Sequence, residues 1–160
     1  MSVKTQGTHL FLIDPTTSNL AVMKMQCPTG IQGVTSGARD QIDSTCLDAT
    51  DDRSFTAGLG NPGTVTVPFI LDPQAASHQA LFDLKATGDK VQWLVGLSDG
   101  TGVPDVTSEG GFDIAAIDRT TIEFTAYVAD LNIDIATNEV VRGTLTLQRS
   151  GAYKFTPKAV

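Results

Sequence analysis

Apolar and polar positions alternate along most of this chain, and the period is two. In residues 63–71, GTVTVPFIL, Val65, Val67, Phe69 and Leu71 share one face and Thr64, Thr66 and Pro68 the other. Pro68 cannot donate to a ladder, which predicts an edge strand or a bulge there. Val91, Trp93, Val95 and Leu97 alternate in the same way. So do Val141, Leu145 and Leu147 against Thr144 and Thr146, and residues 112–117 predict a further strand. Residues 8–14, THLFLID, and 20–27, LAVMKMQC, predict an opening hairpin through a turn at Asp14-Pro15-Thr16-Thr17. Pro28-Thr29-Gly30 stops it, residues 30–36 form a short extended piece, and 98–111 read as a turn-rich linker.

The longest β segment, residues 120–135, changes phase. Ile122, Phe124, Ala126 and Val128 face one way, whereas Leu131, Ile133 and Ile135 have the opposite parity. The flip falls near Ala129-Asp130 and requires a bulge or a corner between two sheets. After a turn at residues 136–138 the chain returns through 138–149 as a long hairpin.

One segment has a helical period. Ala76, Ala80, Leu81 and Leu84 form a stripe. Asp72 suits the N-cap, Pro73 the first helical position, and Gly88 the left-handed C-terminal residue. So short a helix is marginal alone and must pack on a sheet. The fold class predicted is mainly β, two packed antiparallel sheets (a sandwich or barrel) with one flanking helix.

Residues 37–63 break the pattern. They carry Asp40, Asp43, Asp48, Asp51 and Asp52, with few and scattered apolar residues. The stretch is too polar to bury itself and far longer than an ordinary connection. It is either a disordered surface loop or an arm that projects and is ordered by a neighbouring copy. Residues 150–160 lack periodicity and read as a second, C-terminal arm, and the whole of 1–160 reads as one domain.

Composition narrows the function. A net charge of −7 with no basic run opposes binding to nucleic-acid phosphates or anionic lipid. No apolar segment is long enough to span a bilayer, and the apolar run near the N-terminus is too short for a signal peptide. Cys27 and Cys46 make no disulfide framework and are expected as reduced, inert thiols. His9 and His78 lack metal-ligand spacing and are expected to be structural. Gly58-Leu59-Gly60-Asn61-Pro62-Gly63 precedes a strand rather than a helix, so it is no phosphate loop. Asp48, Asp51 and Asp52 lack the spacing of a calcium loop. Carboxylate pairs such as Glu123 with Asp130 belong to no motif, so no catalytic residue, cofactor or metal is expected.

The order and spacing of these pieces resemble those of the tail tube (major tail) proteins of long, non-contractile-tailed bacteriophages. The resemblance spans roughly residues 7 to 150. It rests on the opening hairpin ending in CPTGIQG, the arm IDSTCLDATDDRSFTAGLGNPG, the strand TVTVPFIL, the helix QAASHQALFDLKATGD leading into VQWLVGLSDGTG, and the closing hairpin IEFTAYVADLNIDI with NEVVRGTLTLQRSG.

The resemblance implies a virion subunit whose copies form homohexameric rings. Those rings stack into a tube that houses the tape-measure protein, meets tail terminator and distal tail proteins, and conducts DNA without specific binding. Assembly in the host cytoplasm is implied as well. By position, the inter-ring arm takes in Arg39, Asp40, Asp43, Asp48, Asp51, Asp52 and Arg53. The polar strand faces, with Glu123, Thr125, Thr144 and Thr146, are candidates for the lumen and equally for the outer surface. Four lumen strands per subunit and six subunits would give a wall about 115 Å around at about 4.8 Å per strand, wide enough for a duplex. The competing readings are a related ring such as a tail terminator, and a non-enzymatic β-sandwich binding module.

Overall fold

A computed structural model of the chain describes residues 2–15 and 19–160. The turn expected at 14–17 falls partly on residues 16 and 17, outside the described residues.

The main sheet is antiparallel and seven-stranded. β1 (His9–Ile13) pairs with β2 (Val22–Lys24) on one side and β6 (Val91–Gly96) on the other. β6 lies against the first half of β9 (Thr121–Asp134), whose second half carries β10 (Arg142–Arg149). Next to β10 comes β5 (Thr64–Ile70), at the end of the strand order. β2 stands at the opposite end, so the sheet does not close into a barrel. The segment after β2 reaches β5 through two isolated bridges, Pro28 to Phe69 and Gln32 to Thr66. Pro68 turns its carbonyl to Thr29 on this outer side, so its missing N–H costs no ladder bond to β10.

The two layers share β9, and the bulge read from the sequence is what lets it serve both. Thr146 faces Asp130 but Leu147 faces Val128, which leaves Ala129 unpaired. Phe124, Ala126 and Val128 point into the core before the bulge, and Leu131 after it. Between the layers, Leu10, Leu12, Trp93, Val67, Phe69, Leu145 and Leu147 pack in one cluster with Leu81 and Leu84 of the helix. Trp93 donates its indole N–H to the Ala126 carbonyl at 3.2 Å, which satisfies the one polar atom it buries.

β1 and β6 are buried on both faces. Phe11, Ile13 and Leu94 form a second cluster with Phe112. The cover is a small hairpin of β7 (Asp105–Val106) and β8 (Phe112–Asp113), inside what read as a linker and a longer strand. Double-sided burial explains why Leu10 to Ile13 is an unbroken apolar run.

Helix α1 (Ala76–Thr87) starts later than its capping signal suggested. The Asp72 carboxylate accepts from Gln74 N–H at 3.0 Å, so Asp72-Pro73 closes a turn and Ala75 takes the cap position without a side-chain bond. Ala75 is buried and Ala76 exposed, so the apolar stripe also begins one residue earlier. Gly88 ends the helix at φ 72°, as its position predicted, and donates to the Leu84 carbonyl. The second strand is shorter than expected, Val22–Lys24, although Met25 N–H still bonds to Leu10.

Candidate assembly surfaces

The arm is ordered. β3 (Arg39–Asp43) pairs with β4 (Phe55–Gly60) as a separate two-stranded sheet, with a register shift between Arg39 and Gln41. Its polar residues are what fold it. Asp43 makes an Asx turn in which its carboxylate accepts from Thr45 N–H at 2.9 Å, and Cys46 to Ala49 form a backbone turn at the tip. The Thr45 hydroxyl then bridges to Ser54 across the tip, accepting from its N–H at 2.9 Å. Asn61 donates to Asp40 at 2.7 Å, and Arg39 to the Gly58 carbonyl. These bonds to Thr45 hold the Asp43 carboxyl below its ordinary pKa. Arg39, Asp40 and Asp43 thus sit on β3, while Asp48, Asp51, Asp52 and Arg53 sit on the tip; all seven are exposed. So are the arm's apolar residues Ile42, Leu47, Phe55 and Leu59. An isolated two-stranded ribbon is marginal in water, and this one buries no face of its own.

The base of the arm is fixed to the body by backbone approach. Gly33 and Gly37 have φ of +80° and +130°, and a Cβ on either would lie within van der Waals overlap of the carbonyls of Thr64 and Asn61. At the end of β10, Gln148 donates to the Pro62 carbonyl at 3.2 Å and Arg149 donates to the Val34 carbonyl. Arg149 is buried, and its guanidinium lies 5.1 Å from the Tyr153 ring centroid. Both strands of the arm are therefore tied to the β10 end of the main sheet.

Glu123, Thr125, Thr144 and Thr146 come together on one face of the sheet, opposite the core. Thr144 lies beside Pro68 and Asn132, and Thr146 beside Thr66 and Asp130. Glu123 faces Lys154 of β11 (Lys154–Thr156), which continues along the edge of β9 beyond β10. Burial raises the Glu123 carboxyl pKa, and the Lys154 ammonium 3.9 Å away only partly opposes it. The tail read as a C-terminal arm thus lies back on β9. Lys158 anchors it through the Asp99 carbonyl at 3.0 Å and the Asp118 carboxylate at 3.3 Å.

Two adjoining hollows open where the N-terminal segment meets residues 28–34. One, of about 580 Å³, has an apolar floor of Ile31, Val34, Val95, Leu97 and Ile122. The other, of about 440 Å³, is lined by His9, Lys24 and residues 25–28. Thr8 and Pro28 border both, so they form one cleft. Burial, then the charges of Lys24 and Arg119, lower the His9 pKa.

Arg119 and His78 organise this region. Only 2% exposed, Arg119 donates to the carbonyls of Leu97, Gly102, Gly7 and Gly96. It so ties the N-terminal segment to the end of β6. Burial lowers its pKa and the Asp99 charge opposes that. His78 accepts from Asp72 N–H at 3.0 Å and meets the Gln26 carbonyl at 2.7 Å, which joins the helix to the opening hairpin. The sequence places His78 as structural. Arg119 has no sequence signal, because its partners are four backbone carbonyls from three separate stretches.

These surfaces are built for contact rather than catalysis: a protruding hairpin, a polar sheet face and a cleft. Among the described residues, no three His, Cys, Asp or Glu side chains are grouped as ligands of a metal ion. The fold defines the class, a bulged antiparallel β assembly subunit with a flanking helix.

The chain belongs to the lambda-like phage tail tube proteins, whose family description, "Phage tail tube, TTP, lambda-like", matches residues 1–159. It is 40% identical over 161 residues to "Structural protein 3" of Pseudomonas phage PAJU2, covering 98% of this chain and 95% of that protein. The SPP1 tail tube protein superposes with a TM-score of 0.66 at 10% identity, over 99% of this chain and 81% of its own. A protein from the tail of an empty gene transfer agent particle, reconstructed with C6 symmetry, gives 0.63 at 15% identity, over 92% and 95%. The chain is accordingly a structural subunit of a phage tail tube, a virion component and not an enzyme. Family membership decides for the tube over a terminator ring or a binding module.

Proposed function

We propose that the chain acts as a single domain with a projecting arm, that six copies close into a ring, and that rings stack into the tube through residues 37–63. The observation that carries this is the arm, an exposed ribbon whose apolar side chains find no cover within the subunit. Arg39, Asp40, Asp43, Asp48, Asp51, Asp52 and Arg53 make the inter-ring contact. The C6 symmetry of the gene transfer agent tail supports a ring of six.

Glu123, Thr125, Thr144 and Thr146 face the lumen. These four side chains carry no positive charge to neutralise phosphates, and at −7 per subunit a ring of six carries about −42. DNA and the tape-measure protein pass or lodge in such a channel without counterion-release affinity. Terminator and distal tail proteins cap its two ends, and assembly takes place in the host cytoplasm.

The test is negative-stain microscopy of the purified protein and of a variant with residues 44–54 replaced by a short Gly-Asn turn. Hollow six-fold rings and tubes are expected for the first. Isolated rings or monomers are expected for the second. Tubes of unchanged length from the variant would refute the inter-ring role. End-on views without six-fold symmetry would refute the stoichiometry.

A further inference from the structure

We infer that the cleft between the N-terminal segment and residues 24–34 is the receptor for the tip of the arm of a second copy, with Leu47 in its apolar part and the tip's aspartates against Lys24. The inference rests on the proposed inter-ring role of the arm and adds where that arm lands.

The arm tip and the cleft match in two independent properties. Leu47 is fully exposed at the tip, flanked by Asp48, Asp51 and Asp52. Those three carboxylates make none of the described hydrogen bonds or ion pairs. The cleft has the converse layout: an apolar hollow of about 580 Å³, then a smaller one carrying Lys24 and His9 with the Arg119 guanidinium behind. Lys24 is exposed and has no ion-pair partner among the described residues. In a chain of net charge −7, a basic hollow beside an apolar one is a specific feature, and electrostatic complementarity of this kind fixes register and partner.

The occupant cannot be the subunit's own arm. The cleft wall, residues 28–34, is the segment from which the arm springs. The ladder from Arg39–Gly60 to Asp43–Phe55 holds the tip roughly 15 Å away from that base. Between stacked rings the contact is heterologous: each copy offers a tip to one neighbour and a cleft to another. Such head-to-tail contacts close into a ring where the rotation closes and otherwise propagate as a filament, which is the case between stacked rings.

The two native thiols report on this contact. Cys46 precedes Leu47, Cys27 lines the basic end of the cleft, and both are free and exposed. Docking brings Cys46 of one copy to Cys27 of the next. Assembled tubes treated with a short bis-maleimide are expected to give a ladder of dimers, trimers and longer chains. The 27–46 linkage is read by mass spectrometry, and the ladder is lost with either Cys27→Ser or Cys46→Ser. Intact tubes without a 27–46 adduct, or with 46–46 adducts instead, overturn the inference.

Charge reversal gives the second readout. Lys24→Glu is expected to raise the concentration needed for assembly by about tenfold or more. Asp48→Lys with Asp51→Lys in the same chain should restore it. If Lys24→Glu assembles normally while removal of the arm tip stops stacking, the arm reading stands and this receptor falls. If removal of the tip changes nothing, both fall.

Discussion

Arg119 offers the sharpest test of how this fold is held. Its guanidinium is 2% exposed, and the described structure pairs it with no carboxylate. It donates instead to the carbonyls of Leu97 at 2.8 Å, Gly7 at 3.0 Å, Gly102 at 3.2 Å and Gly96. Charged hydrogen bonds contribute about 1.5–3 kcal/mol each, so this set is worth on the order of 6–12 kcal/mol gross. Burying the cation offsets several kcal/mol of that. Arg119→Met fills the same space but takes the donors from four carbonyls, that of Gly96 buried, and a net loss of about 3–5 kcal/mol is expected. Against a total of about 5–15 kcal/mol, urea unfolding should show a midpoint lower by more than about 1 M with an unchanged slope. Arg119→Lys keeps the charge but not the fork of donors, and should fall in between. A Met variant within about 1 kcal/mol of the parent would show that water replaces the guanidinium freely, and the argument for a carbonyl-bound hub would fail.

Other outcomes follow from the packing and the titrating groups. Gly143→Val should cost about 1–3 kcal/mol, because a Cβ there meets the buried Phe69 ring at 2.4 Å; thermal melts of the monomer check this. Deleting Ala129 should leave the protein folded with a straighter β9, since it removes the unpaired residue and brings Leu131 and Ile133 into phase with Phe124, Ala126 and Val128; retained dispersion in amide NMR spectra is the readout, and its loss would refute the bulge assignment. The Thr120 hydroxyl, then its N–H, hold the Asp99 carboxyl below its ordinary pKa against the cost of burial. Asp99 therefore contributes stability above the unfolded value of about 3.9, lost as pH falls through the lower folded value. Asp99→Asn should remove that part of the acid dependence of urea midpoints. Glu123 has the opposite sign. Burial raises its pKa, so its contribution is full at low pH and lost as pH rises through the folded value. Glu123→Gln should be slightly more stable than the parent at neutral pH and no more stable near pH 3.

The sequence by itself determined the elements whose cause is local. Alternation set β5 and β6 to within a residue or two and the end of β10, whose start falls four residues later than the 138 expected, and the parity change in 120–135 placed the bulge that the pairing puts at Ala129. Gly88 ended the helix where its conformational freedom said it would. The four polar strand residues proposed for the lumen lie on one face because alternation alone dictates it. The start of the helix was misread because Asp72-Pro73 satisfies a turn as well as a cap, and only the bonds around His78 settle which.

Tertiary structure decided the rest. The arm's many Ser, Thr and Asp residues look like a disordered loop to any rule based on burial. Their cross-strand bonds order a ribbon that no apolar pattern encodes. The tail's return onto β9 depends on partners more than 30 residues away in the chain, at Glu123 and Thr120. The cleft and the Arg119 hub are assembled from segments up to 112 residues apart. Contacts of that separation leave no periodic trace, because the carbonyls and cavity walls that define them have no residue-type signature in one dimension.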